Sequence, residues 1–246
     1  MKLPKLHIGT SGWSYKHWYQ VFYPPEIRPD KFLEHCITEF SCVELNSSFY
    51  HLPKAATIAG WINRTPESFR FCAKLSRFIT HQKKLREPDA PLKKFFELFA
   101  PMIPRLGPVL IQLPPGLSYS SSLIDNFLQT LSRDYSQYRF AVEVRHQTWI
   151  HEEFLQLLSD YQTAFVIADS GKRFPSHEAV TTDFVYLRFH SRGNLYASEY
   201  TEDELWQYAG KIRGWMNEGK AVWAFFNNDY HGYAVQNAKR LLEMMS

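Results

Sequence analysis

Six ionisable residues stand at or just past the ends of short β-rich runs: Glu44, Lys74, Glu143, Arg145, Asp169 and Arg188. Carboxylates beside amines and guanidinium groups are what proton transfer and the holding of an anion require. In the run that starts at Phe140, Val142 and Val144 share its face, while Ala141, Glu143 and Arg145 share the other, because successive side chains of a strand point to opposite sides. The same division sets Val43 and Leu45 against Cys42, Glu44 and Asn46, and Phe71 and Ala73 against Cys72 and Lys74. It also sets Val185, Leu187 and Phe189 against Tyr186, Arg188 and His190. Asp169 ends another run, and Asn227, Asn228 and Asp229 follow the last. The bulky face suits packing on helices, so the charged face is expected to line an enclosed interior. There an isolated ion costs on the order of several kcal/mol, and fold stability alone does not call for it. A ring of three acids and three bases, paired for structure only, is the competing reading.

Four segments add chemistry around these positions. Gly9-Thr10-Ser11-Gly12-Trp13 combines two glycines with hydroxyls and an indole, the composition of a turn that lets a ligand approach the backbone or simply of a tight turn. Lys74 opens a basic, aromatic-containing connection that runs to Arg86 and suits phosphate, a nucleic-acid strand or solvent. Glu143-Val144-Arg145-His146 gathers a carboxylate, a guanidinium and an imidazole, and Arg145 should favour an ionised Glu143. Asn227-Asn228-Asp229 leads into a closing helix, as phosphate sites of barrels or plain caps do.

The first expectation is a metal-independent, cofactor-free enzyme, a hydrolase or an isomerase, acting on a polar or anionic small molecule that is sugar-like or phosphorylated. Glu44 and Glu143 would do acid and base work, and Lys74, Arg145 and Arg188 would hold or polarise the ligand. Asn46, His190 and Asn227 would orient it, with Thr10, Ser11, Trp13, Asp169 and Asp229 as further contacts. Two alternatives stay open. One is a divalent-metal isomerase or phosphodiesterase using Glu44, Glu143, Asp169, His190 and Asp229, against which three interior cations weigh. The other is a non-catalytic protein binding a ligand or single-stranded nucleic acid through Lys83 and Lys84, which is not favoured. Schiff-base chemistry at Lys74 is a minor option, because neighbouring positive charge can depress its pKa.

The elements that must carry these residues are eight β-rich runs: Leu6 to Gly9, Cys42 to Leu45, Phe69 to Lys74, Val109 to Gln112, Phe140 to Val144, Ala164 to Asp169, Val185 to Phe189 and Ala221 to Phe226. Helical spacing fills most of the gaps, as in Ala55 to Arg64, Ser122 to Tyr135 and Thr201 to Glu218, with Asp30 and Thr201 as expected caps. Strands alternating with crossovers predict an α/β fold, a single (β/α)8 TIM barrel over residues 1–246 with its chemistry at the C-terminal strand ends. The sixth unit looks degenerate, since Ser170 to Asp183 lacks a full helix. An open doubly wound sheet is the alternative.

Composition narrows the class. The 28 Lys and Arg against 25 Asp and Glu leave +3, too balanced for a general polyanion binder. No apolar run is long enough for a bilayer crossing, and the first residues turn polar too early for a signal peptide, so a cytoplasmic protein without membrane partners is expected. Cys36, Cys42 and Cys72 show no C-x-x-C spacing and are expected to be buried thiols.

Taken together, the motifs resemble the DUF72 family, also called YecE-like proteins, over nearly the whole chain. The resemblance rests on Gly9-Thr10-Ser11-Gly12-Trp13, Val43-Glu44-Leu45-Asn46 with Phe49-Tyr50, Phe78-Ile79-Thr80-His81, Gln112-Leu113-Pro114-Pro115, Glu143-Val144-Arg145-His146, Arg188-Phe189-His190 and Phe226-Asn227-Asn228-Asp229. It implies a TIM barrel and supplies no reaction. The chain departs from the family pattern at Thr148, where Ser is usual, and at Ser191, where Gly is usual.

Overall fold

The computed structural model describes residues 6–171, 173–193 and 198–246. Eight strands follow the expected runs: β1 Leu6–Ser11, β2 Cys42–Leu45, β3 Arg70–Ala73, β4 Val109–Gln112, β5 Phe140–Glu143, β6 Ala164–Asp169, β7 Phe184–Phe189 and β8 Ala221–Phe226. They pair in parallel in the order β3-β2-β1-β8-β7-β6-β5-β4. The two ends of that order meet through parallel bridges at Phe71 with Leu106 and Lys74 with Leu110. There Gly107 N–H donates to Phe71 O at 2.9 Å and Leu75 N–H to Leu110 O at 2.8 Å. The sheet is therefore a barrel, and the open doubly wound alternative is excluded.

Around it lie α1 Phe32–Glu39, the single turn α2 Ser47–Tyr50, α3 Ala55–Asn63, α4 Asp89–Phe99, α5 Ser121–Asp134, α6 Glu152–Asp160, α7 Glu202–Asn217 and α8 Tyr233–Met245. Between β6 and β7 the described residues form no helix, and Lys172 of that connection lies outside them. No described helix is long and apolar enough to cross a membrane. Thr201 and Glu204 form the expected capping box at the start of α7. Asp30 caps nothing: it lies inside the 3-10 turn Pro29–Lys31 and its carboxylate takes Arg28 Nε at 3.2 Å.

Strand parity sorts the core. Outward side chains such as Val43, Leu45, Val142 and Val144 pack among the helices, as do Leu187 and Phe189. Inward ones, among them Cys42, Cys72, Leu110, Ala141, Val166, Ala168, Tyr186, Trp223 and Phe225, fill the barrel. Trp223 stacks on His7 at 3.8 Å. All three cysteines are free and buried, and burial pushes the Cys36 thiol up to about 12. Gly9 serves the barrel rather than a ligand, since a Cβ there would meet the Cys42 carbonyl oxygen at 2.2 Å. Ser191 adopts φ 75°, left-handed backbone that glycine enters without strain and a serine does not.

Candidate active site

The apolar filling gives way, at the C-terminal strand ends, to a buried ionic lattice. β7 is its centre: Arg188, 1% exposed, spreads its guanidinium between two carboxylates. Its Nε donates to Glu44 Oε2 at 3.0 Å, Nη2 to Glu44 Oε1 at 2.6 Å, and Nη1 to Glu143 Oε2 at 2.6 Å. Glu44 takes two more bonds, from Ser11 Oγ at 2.8 Å and Tyr186 Oη at 2.9 Å. Glu143 accepts from Gln112 Nε2 at 2.7 Å and from Arg145 Nη2 at 3.2 Å. Each carboxylate is thus occupied on both oxygens from several strands, the only way such groups persist in a low-dielectric interior.

His190 completes the lattice in one tautomer. Asn227 Nδ2 donates to His190 Nδ1 at 3.1 Å, which leaves the proton on Nε2 to go to Glu143 Oε1 at 3.2 Å. The Arg188 Nη1 contact with that same Nε2, 3.4 Å, is then a close approach of two donors. Burial, then the Arg188 charge, hold His190 at about 4, so the ring is neutral near pH 7. Burial acts to raise Glu143, but Arg188, Arg145 and His190 together outweigh it and hold the carboxyl well below its ordinary range. Glu143 is a carboxylate at neutral pH, not a general acid.

Lys74, just past β3, differs from the other charges. Its Nζ donates to Gln112 Oε1 at 2.9 Å and lies 3.9 Å from the centre of the Phe49 ring. Among the described residues it forms no ion pair with a carboxylate. Burial, then the nearby Arg188, bring it down to about 7 against the opposing pull of Glu143 and Glu44. Gln112 therefore links the lysine to the lattice, its amide fixed with nitrogen on Glu143 and oxygen on Lys74.

Above the lattice opens a cavity of ≈ 550 Å³ bordered by Tyr15, Asn46, Phe49, Tyr50, Lys74, Arg77, His81, Gln112, Arg145, Arg188, Asn227 and Asp229. Glu44 and Glu143 lie beneath this lining and do not border it. Arg145 is held by Glu143 on one side and by the Phe174 ring, 4.2 Å away, on the other. Asn46 donates to Asn227 Oδ1 at 3.5 Å, while its own Oδ1 is buried with no partner among the described residues. Asp229 is raised by burial, and its backbone carbonyl accepts from Trp18 Nε1 at 3.3 Å. A second hollow of ≈ 500 Å³ adjoins, sharing Tyr15, Asn46 and Tyr50 and floored by Trp13, Trp61 and Leu33.

Of the residues singled out by sequence, Glu44, Glu143, Arg188, His190 and Ser11 meet in the lattice, and Lys74, Arg145, Asn46, Asn227 and Asp229 reach the cavity. Three do not join them. Thr10 shares the outward parity of Ile8, and its hydroxyl donates to Gly12 O at 2.7 Å. Asp169 likewise faces outward, because Ala164, Val166 and Ala168 take the inward positions of β6. Its carboxylate meets Arg192 Nε at 2.7 Å and Tyr208 Oη at 2.6 Å. Trp13 sits in the adjoining hollow, edge-on to Trp61 at 5.5 Å. His146 also stays out, since its Nδ1 accepts from Thr148 N in the turn that follows β5. Among the described residues no three His, Cys, Asp or Glu side chains converge as metal ligands. The five residues considered for that role are split between lattice, cavity and outer face. Gln112 and Tyr186 carry no role in the sequence reading, although inward parity marks Gln112 beside Leu110 and Tyr186 beside Arg188, while Arg77 and His81 come from the basic connection that opens at Lys74.

Comparison with known proteins agrees with the motifs. A family model described as protein of unknown function DUF72 matches residues 7–246. UPF0759 protein YecE of Escherichia coli strain K12 is 32% identical over 142 residues, a stretch taking in 57% of this chain and 48% of that protein, so the match spans about half of that relative. UPF0759 protein YunF of Bacillus subtilis strain 168 is 23% identical over 270 residues, with 98% of this chain and 94% of that one covered. The crystal structure of a DUF72 family protein from Thermotoga maritima superposes with a TM-score of 0.89 at 31% identity, covering 98% of both chains. One from Enterococcus faecalis, at 22% identity, covers 98% of this chain and 95% of its own and shares the fold with a TM-score of 0.83.

Proposed function

The chain belongs to the DUF72 family, and on the geometry of its cup we propose that it is a metal-independent enzyme acting on an anionic small molecule, phosphorylated or carboxylated. The observation that carries the reading is the division of charge at the cavity. Lys74, Arg77, Arg145 and Arg188 border it against Asp229 alone among acids, while Glu44 and Glu143 lie behind. His81 adds no charge near neutral pH, as burial and then the Lys74 ammonium bring it down to about 4. An anion entering here meets Arg77, which has no carboxylate partner among the described residues, and the outer edge of Arg145.

In this reading the two glutamates give up the acid and base work expected of them. With both oxygens of each already taken, they position Arg188 and Arg145 instead of carrying protons, which disfavours hydrolysis by a carboxylate pair. Lys74, with a value of about 7, is the group in the cavity able to take and return a proton at neutral pH. Proton transfer of the isomerase type fits that arrangement.

Calorimetric titration of the chain with inorganic phosphate, glucose 6-phosphate and glucose tests the reading. The anions should bind and glucose should not, and Arg77→Ala should weaken anion binding by about tenfold, ~1.4 kcal/mol. Equal binding of glucose, or anion binding unchanged in Arg77→Ala, would contradict it.

A further inference from the structure

Resting on that reading of the cup and extending it to a substrate class, we propose that Lys74 is a covalent nucleophile that forms an imine with a small anionic aldehyde or ketone. The geometry is that of a held amine. Nζ reaches the cavity from the end of β3, anchored by one bond to Gln112 Oε1 at 2.9 Å, with the Phe49 ring packed 3.9 Å away. Gln112 cannot rotate away, because its Nε2 is committed to Glu143 Oε2 at 2.7 Å. A neutral amine needs only one N–H for that anchor and keeps its lone pair, whereas an ammonium ion at this depth would be expected to draw in a carboxylate. Both nearby carboxylates are instead engaged by Arg188. Arg77 and Arg145 border the same cavity, placing an anionic group beside the amine.

The chemistry closes on itself. The Nζ lone pair forms a C–N bond to the carbonyl carbon while the C=O π pair moves to oxygen, which takes a proton as nitrogen gives one up. The resulting carbinolamine is protonated on its hydroxyl, which leaves as water as the nitrogen lone pair forms the C=N bond of an iminium ion. No oxidant, reductant or further reactant is needed. His81 and Asp229 border the cavity and are available to relay the protons, whereas the Tyr15 hydroxyl is committed to Ser11 O at 2.7 Å. A value of about 7 for Lys74, set by burial and Arg188 and opposed by Glu143 and Glu44, makes the neutral amine a major species at neutral pH.

Glyoxylate, a small anionic aldehyde, and glycolaldehyde, its neutral counterpart, serve as probes with sodium borohydride to reduce the imine, followed by peptide mass mapping. At pH 7 glyoxylate should trap Lys74 about 100-fold faster than exposed lysines, whose ordinary value near 10.4 keeps them protonated. Inorganic phosphate should protect it, and the single adduct should vanish in Lys74→Met and Lys74→Arg, each checked for a cooperative thermal transition. Trapping of Lys74 no faster than surface lysines would overturn the proposal. Phosphate binding without preferential trapping removes the nucleophile and leaves the anion cup. Trapping of Lys74 that is equal for the two aldehydes and insensitive to phosphate keeps the amine and contradicts the anion-holding reading.

Discussion

Arg188 is the residue on which the lattice turns, because one guanidinium serves two carboxylates that water does not reach. Arg188→Met strands both, and the loss of a buried partner costs about 3–5 kcal/mol. Urea denaturation should show at least that drop in stability, and a change below about 1 kcal/mol would mean that the carboxylates are not held this way. The pH dependence has a definite sign. His190 is held at about 4, below its ordinary 6.5, so the unfolded chain binds more protons between those values and stability falls as pH falls through that window. Glu143, also held low, adds to the loss as pH falls below its ordinary 4.5. His190→Asn should flatten the urea midpoint between about pH 6.5 and 4 relative to wild type. For Lys74 the window lies between about 7 and its ordinary 10.5, where the unfolded chain again binds the extra proton and stability rises with pH. Subtracting the profile of Lys74→Met from that of wild type removes the tyrosines and cysteines and should leave that rise.

At the scale of strands and helices, parity did most of the positioning and was readable in advance. Glu143 opposite Val142 and Arg188 opposite Leu187 had only one face to occupy once bulky neighbours packed outward. The same rule, carried through Ala164, Val166 and Ala168, places Asp169 outside, and carried through Ile8 it does the same for Thr10. Asp169 drew attention by its place at a strand end and Thr10 by its glycine-bearing turn, and register turns both away from the interior. The alternation of strands and crossovers predicted the barrel, and its closure rests on two bridges between the ends of β3 and β4, where β7 and β8 pair along six residues each. That seam should open first. Hydrogen exchange followed by mass spectrometry is expected to show the Leu75 and Gly107 amides exchanging faster than those of β7 and β8, and uniform protection around the barrel would refute it.

For the molecule as a whole, the sequence made a cup of converging charges legible but not which of them would be free. Glu44 and Arg188 are 144 residues apart and Glu143 and Arg188 are 45 apart, so whether a carboxylate faces a ligand or a guanidinium is decided only by closure of the barrel. That closure turns two candidate acids into supports and leaves a cation-bordered cavity above them. The direct measurement is anomalous diffraction from crystals soaked in tungstate, an electron-dense oxyanion with phosphate's shape. The account predicts a peak bordered by Lys74, Arg77 and Arg145 that is lost in Arg77→Ala crystals. Peaks confined to the outer surface at concentrations that saturate it, with none in the cup, would contradict it.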